Sequence, residues 1–526
     1  MGFTMIERLR IDEPPTYQPR IPFEGPISDG APVDVEPLIA KEESLAKTDG
    51  FRFVSISDYY HKYRSGALTP NEVAENVIRA MNDSEKLTPK MRAMIQWNED
   101  EIRKMAAAST ERFQQNKPLS VMDGVPVSIK DEFEVIPYIL RVGTSMRGTK
   151  GTVDATLAAK LRSAGAIIIG TTNMHELGTG TTGNNISPYH GTPRNPYNVQ
   201  HYTGGSSSGS GSSVAAGLCP VSIGTDGGGS VRIPAVFCGV VGFKGTFGRF
   251  SGAGCAPLAF TVSHMGPLCS SVRDAAIMYG LLAGPDLRDF NSISQPPITL
   301  DGYENTDLKR IKMGIYHPYF KHADREIVTE CNKVVKFLQQ LGGEVEYIEI
   351  AELEELRQAH IIAILSEFRT GMKEDYTEHL TELSPEVSLG LSSASCISAL
   401  TYVTANKQRT RSINYLRDHV FNKVDVILTP ATAITAPRIE PHHLTHGLSD
   451  QKLTADSMRY VSIGNFTGIP CLSIPVGYDK EGLPIGFQIM GRWWEDHLVL
   501  RIGNAVESYM ENKIRRPKVH YDILQK

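Results

Sequence analysis

No apolar stretch in this 526-residue sequence approaches the ~18 residues that a membrane-spanning helix requires, so a spanning segment is not expected. The opening residues, MGFTMIERLRIDEPP, lack the continuous apolar core of a secretory signal. The Met1-Gly2 start also lacks Ser or Thr at position 6, where Ile6 stands, which speaks against myristoylation. The seven cysteines are odd in number, scattered, and nowhere spaced as CxxC. Neither a disulfide framework nor a zinc site is therefore indicated, and reduced thiols in an intracellular chain fit best. A net charge of −5 gives no global attraction to nucleic acid or anionic membranes. No internal repeat is visible. What is present is ordinary for a soluble globule: 41% hydrophobic and 21% charged residues suffice for a large core.

Residues 1–50 carry Pro14-Pro15, Pro19, Pro22, Pro26, Pro32 and Pro37, and read as an extended arm that is ordered only against the main body. Structure begins near Phe51. Thr69-Pro70-Asn71-Glu72 is a capping box with proline at the first helical position, followed by Val73, Val77, Ile78 and Met81 on one helical face. Val125 to Asp131 alternates as a strand that ends by delivering Lys130. Asp154 is placed to cap a helix over 155–164 that Gly165 closes, and Ala166 to Gly170 is an apolar strand of the buried, parallel kind. Strand, helix and strand in this rhythm imply a βαβ crossover and an α/β sheet. Late strands are expected over 311–316, 345–350, 425–430, 469–476 and 485–489, a helix over 326–341, and a mostly helical lobe over 352–422.

Between Tyr202 and Thr246 two turns, Gly204 to Gly209 and Gly227 to Ser230, flank an apolar segment. Gly/Ser runs usually form tethers. A tether has no reason to contain Val214-Ala215-Ala216, Cys219-Pro220-Val221 and Ile223, so that reading is rejected. A short helix over 212–218, a strand over 220–224 and a helix opening at Ser230 are expected instead. Three glycines before a serine bring consecutive N–H groups toward one bound atom, as a developing oxyanion requires. GSSSG matches the nucleophile-elbow pattern, yet a loop rather than a buried strand precedes it. No Gly-Lys-Ser/Thr follows either turn, which excludes a phosphate loop. His175-Glu176 lacks a second histidine four residues on, where Thr179 stands, so His175 is read as structural and no metal site is expected.

Lys130 in GVPVSIKD, Ser206 in GGSSSGS and Ser230 in GTDGGGSVRIPA, separated by 76 and 24 positions, resemble the lysine–serine–serine triad of the amidase signature family. The similarity runs from about Phe51 to the C-terminus and includes GIPCLSIPVG and GLPIGFQIMG. NMHELGTGTTGNN, YTGGSSSGS and GTDGGGSVRIP are most similar to the plant-type fatty acid amide hydrolases within it; the arm and residues 286–422 resemble them less. The resemblance implies an α/β fold with a large mixed twisted β-sheet flanked by helices on both faces, in a single domain over 51–526. It implies Ser230 as nucleophile, Ser206 in a cis peptide as the proton bridge, and Lys130 as a base whose pKa burial lowers. The N–H groups of Gly227, Gly228, Gly229 and Ser230 would form the oxyanion hole. Ser207 would support the network, Asp226 and Arg232 would hold the turn, and Gly178 and Thr179 would line the substrate. No cofactor and no metal are implied.

The function so implied is hydrolysis of fatty acid amides such as N-acylethanolamines. Alternatives at this point are a general or aryl amidase, a glutamyl-tRNA amidotransferase A-like glutaminase, and an inactive binding protein on the same fold. The expected partners are a small, lipid-like amide and a second copy of the chain, with peripheral membrane contact and no nucleic acid. The arm and the helical lobe are expected to line or cover an acyl channel.

Overall fold

A computed structural model describes residues 3–45 and 50–525; Met1, Gly2, residues 46–49 and Lys526 lie outside the described residues. An 11-stranded mixed sheet forms the centre. Its strands are β1 (Met94–Gln96), β2 (Pro126–Lys130), β3 (Ile167–Thr172), β4 (Val221–Asp226), β5 (Val241–Lys244), β6 (His264–Cys269), β7 (Lys312–Ile315), β8 (Glu344–Tyr347), β9 (Val426–Pro430), β10 (Cys471–Tyr478) and β11 (Pro484–Gly491). The order across the sheet is β1-β3-β2-β4-β6-β5-β10-β11-β9-β7-β8. β2 runs parallel to both of its neighbours, β3 and β4, and β9-β7-β8 is parallel as well. The strands from β4 to β9 between these blocks pair antiparallel. Helices flank the sheet, and β2 to β4 are buried along their whole length, as a covered parallel block requires.

Most sequence expectations for elements hold to within a few residues. Thr69 and Glu72 form the reciprocal capping box of the helix Pro70–Ser84. The helix expected at 326–341 spans Arg325–Gln340. Two expectations change. Asp154 does not cap the helix Thr156–Ser163; its carboxylate accepts from Ile136 N at 2.8 Å and pairs with Arg162 at 2.9 Å, while Ala155 holds the cap position. The helix expected at 212–218 is α1 (Ser208–Ala215), which begins directly out of the serine turn. Serine and glycine are poor helix formers, but every residue of α1 is buried, so tertiary packing overrides propensity. Gly209 is required here, because a Cβ would lie 2.2 Å from the Ala93 carbonyl oxygen.

α2 (Arg232–Phe237) follows the second turn. The lobe comprises α3 (Leu353–Gly371), α4 (Pro385–Ala394) and α5 (Ala399–Tyr415), and α6 (Gln451–Ser457) and α7 (Ser462–Thr467) return the chain to the sheet. Of the arm, Thr16 N donates to the Asn406 carbonyl at 3.1 Å, Glu13 pairs with Arg411 at 3.3 Å, and Trp494 Nε1 donates to the Ile21 carbonyl at 2.9 Å. The proline-rich chain thus combines short local turns, such as Leu38 N to the Val35 carbonyl, with hydrogen bonds to α5 and the body. Among the described residues no single helix is long and apolar enough to cross a membrane.

Candidate active site

The adjacent parallel strands β2 and β4 pair Ile129 with Ile223, so their carboxyl ends bring Lys130 and Thr225 to the same rim of the sheet. That rim is where open α/β sheets place their ligand sites. The two glycine-rich turns lie against it, one leading into α1 and the other into α2. Their contact is direct: Ser207 N donates to the Ser230 carbonyl at 3.2 Å, and Ser207 Oγ donates to the Thr225 carbonyl at 3.2 Å.

Lys130 is fully buried. Its Nζ lies 2.7 Å from Ser206 Oγ, 2.6 Å from Thr225 Oγ1 and 2.7 Å from Glu132 Oε2. Thr225 Oγ1 in turn donates to Glu132 Oε2 at 2.7 Å. The Gly205–Ser206 peptide is cis, and the Ser206 carbonyl accepts from His175 N at 3.0 Å. Burial penalises an ammonium, whereas a carboxylate at contact distance favours it. The burial of Lys130 was legible in the sequence; the carboxylate in contact with it was not. Ser230 is 9% exposed and lines the cavity above this cluster. Its hydroxyl makes no hydrogen bond with the described residues, so the structure closes the Lys130–Ser206 contact and leaves the Ser206–Ser230 one open.

Asp226 organises the second turn. Its carboxylate accepts from Gly229 N at 2.7 Å and Val231 N at 3.1 Å, and pairs with Arg232 through two contacts of 3.0 Å. Arg232 reaches on to Gln488 and Asn465, and Asn465 Nδ2 returns to the Asp226 carbonyl at 2.6 Å. Both charges are fully buried. Burial alone would raise the Asp226 carboxyl, but the Arg232 guanidinium, helped by Lys244, outweighs it and holds the group far below the usual range. One expectation is corrected here: Gly229 N–H is engaged by Asp226 and is not available to an oxyanion. The N–H groups of Gly227, Gly228 and Ser230 donate to no described residue. Gly229 still has to be glycine, with φ of +97° and Ile233 2.7 Å from where a Cβ would stand. The Gly227 carbonyl meets His360 Nε2 of α3 at 2.9 Å. Burial pushes His360 down to about 4, so the ring is neutral and Nε2–H is the donor.

A cavity of about 500 Å³ opens over Ser230 and Gly228. Gly178 and Thr179 line it, as do Ile361, Ile364, Leu365 and Phe368 of α3. The opposite wall comes from residues 448–458, including Leu453 and Met458, which the sequence reading did not single out. Among the described residues the arm lines none of this cavity; it packs on the lobe instead, with Ile6 buried in the apolar cluster that holds Phe368 and Ala405, and Thr16 bonded to Thr410 of α5. His175, set aside as structural, lines the cavity and faces Glu386 of α4 at 3.2 Å. Glu132, Thr225 and His360 were also missed. In Lys130-Asp131-Glu132 only the fold tells which acid turns inward: Asp131 faces away, accepting from Arg141 N and Gly143 N at 3.1 Å each. Among the described residues no group of three or more His, Cys, Asp or Glu is placed to hold a metal ion.

With this geometry in view, comparison with known proteins defines the class. The family profile described as Amidase matches residues 75–500, and the chain belongs to that family. It is similar to a fatty acid amide hydrolase of Oryza sativa subsp. indica, 38% identical over an alignment covering 99% of this chain and 89% of the relative. It is also similar to one of Medicago truncatula, 41% identical with 90% and 79% covered. Among solved structures, a bacterial aryl acylamidase of the amidase signature enzymes superposes with a TM-score of 0.78 at 26% identity, covering 90% of this chain and 98% of that one. The chain is an amide-hydrolysing enzyme of the amidase signature class.

Proposed function

We propose that this enzyme hydrolyses fatty acid amides of the N-acylethanolamine kind, with Ser230 as nucleophile. The observation that carries the reading is Ser230 on the floor of a cavity walled by Ile361, Ile364, Leu365, Phe368 and Met458, directly above the Lys130–Ser206 contact. An acyl chain lies along the apolar wall and presents its carbonyl carbon to Ser230 Oγ. As that bond forms, the Ser230 proton passes to Ser206 and the Ser206 proton to Lys130 Nζ. The Ser230 hydroxyl must turn toward Ser206 for this; such contacts commonly tighten only when substrate is bound. The carbonyl electrons move onto oxygen, which takes hydrogen bonds from the free N–H groups of Gly227, Gly228 and Ser230. Collapse of the tetrahedral species breaks the C–N bond as the relay returns a proton to the departing amine. Water then releases the fatty acid from Ser230 by the same path.

The test is fluorophosphonate labelling followed by mass spectrometry, with competition by acylethanolamides of graded chain length. The adduct is expected on Ser230, with protection increasing with chain length. An adduct on Ser207 overturns the nucleophile assignment. Protection indifferent to chain length makes a small-amide amidase the better description.

A further inference from the structure

The cluster under Ser206 contains a carboxylate for which the triad has no role. Glu132 is 3% exposed, lines the small space beneath Ser230, and touches Lys130 Nζ and Thr225 Oγ1 at 2.7 Å each through one oxygen. Hydrogen-bond counting shows what this does. An ammonium has three N–H donors; Lys130 Nζ hydrogen-bonds to Ser206 Oγ at 2.7 Å and Thr225 Oγ1 at 2.6 Å, and Glu132 Oε2 stands in ion-pair contact at 2.7 Å as the third oxygen. A neutral amine has two donors and one lone pair, so one of the three contacts must then reverse. Glu132 only accepts when ionised. Thr225 donates its own proton to Glu132, which leaves its oxygen to accept as well. The remaining partner, Ser206, is the one that must donate into the lone pair.

Resting on the triad reading proposed above, we infer that Glu132, with Thr225 as its relay, is a positioning residue that takes the two N–H donors of the neutral Lys130 amine and aims its lone pair at Ser206. When Lys130 then takes the Ser206 proton, the carboxylate already in contact stabilises the new ammonium, and no charge has to move in from solvent. This parallels the way a carboxylate orients an imidazole and supports its charge in a Ser-His-Asp site.

The other titratable group beside the pair is Cys255, from the loop before β6, with Sγ 3.8 Å from Glu132 Oε1. Burial, reinforced by Glu132, pushes that thiol well up, so it remains neutral. Asp131 turns to the opposite side, Asp226 is engaged by Arg232, and the His175 side chain faces Glu386. Glu132 is thus the carboxylate in contact with the lysine.

The experiment measures kcat and KM against pH for amide hydrolysis by the wild-type chain, Glu132→Gln and Glu132→Asp, with melting temperatures recorded alongside. Gln keeps the size but not the charge. Its kcat is expected to fall about 10- to 100-fold with KM little changed, and the rising limb of its profile to move to lower pH, because the ammonium has lost its counter-charge. Asp keeps the charge, so its limb is expected to stay near the wild-type position while kcat falls less. A merely structural role would lower activity in both variants without separating their limbs, and that result overturns the inference. Should Glu132→Gln not fold, Thr225→Val provides the second arm: it removes one acceptor of the amine and is expected to lower kcat without moving the limb, and an unchanged kcat overturns the relay. A wild-type chain that neither turns over amides nor labels at Ser230 overturns the triad reading, and this inference with it. An active wild type with an unmoved Glu132→Gln profile overturns this inference alone.

Discussion

The two glycine-rich turns and the helical lobe face each other across one cavity and are built on opposite principles. From Tyr202 to Thr246 all but a few residues are buried, the two turns are made of glycine and serine, and their position is set by polar contacts of 2.6–3.3 Å. The lobe presents Ile361, Leu365 and Phe368 along one helix and is anchored elsewhere, by His360 on Gly227 and by Glu176, whose carboxylate accepts from Ser384 N at 2.8 Å. Polar networks are directional and fail when one partner is lost. Apolar walls are non-directional and tolerate exchange at similar volume. One side is therefore suited to holding reacting atoms, and the other to choosing what is brought to them.

The sharpest way to break this comparison is at the lysine. Lys130→Ala is expected to lower amide turnover about 10²- to 10⁴-fold, the range of a lost general acid–base group. Matched esters should suffer less, since an alkoxide departs with less need of a donated proton. Steady-state kinetics on an amide and ester pair decides it, and equal losses would remove the lysine from the proton path.

Next in size is the ion pair that shapes the second turn. Asp226→Asn leaves Arg232 charged and fully buried without its partner. Denaturant titration is expected to show a loss of about 3–5 kcal/mol, the cost of breaking a buried pair on one side only.

His360 joins the two regions, and its effect depends on pH. Folded, it takes a proton only near about 4, against 6.5 when free. Between these values the unfolded chain holds more protons, so stability falls as pH drops. This contribution is intact above about 6.5 and reaches a loss of about 3 kcal/mol near pH 4. His360→Gln keeps a donor for the Gly227 carbonyl and does not titrate. The difference between the two chains' stabilities is expected to change in that window and to be flat above it; a flat difference throughout would remove His360 from the account.

The smallest effect belongs to the wall. Ile361→Trp fills part of the cavity and is expected to reduce kcat/KM for palmitoyl against decanoyl amides about tenfold, with Tm nearly unchanged, as a steric change in an apolar pocket does. Equal effects on both chains would mean that the acyl group does not lie along α3.

The elements around the turns were legible because their signals are local. Alternating valine and isoleucine before Lys130, the apolar run 166–170 and the glycine triplet before Ser230 state their conformation within a few residues. The lobe was legible as helix, but its destination was not, since an amphipathic helix does not say which surface it covers. Gly229 shows the limit at atomic scale. Its motif pointed to a free N–H, and Asp226, three residues earlier, takes that N–H once the turn is closed.

By itself, then, the sequence determined the α/β sheet, the pairing of a strand-end lysine with two serine turns, and the absence of any single apolar run long enough to span a membrane. The sheet and the missing apolar run follow from periodicity and residue type; the pairing rests on the resemblance of GVPVSIKD, GGSSSGS and GTDGGGSVRIPA to the amidase signature family. Tertiary structure alone decided that Glu132 rather than Asp131 faces Lys130, that residues 448–458 close the cavity, and that the described arm residues pack on the lobe rather than line the cavity. Each of these depends on which way a side chain or segment turns after strands far apart in the chain have paired, and no local pattern records that direction.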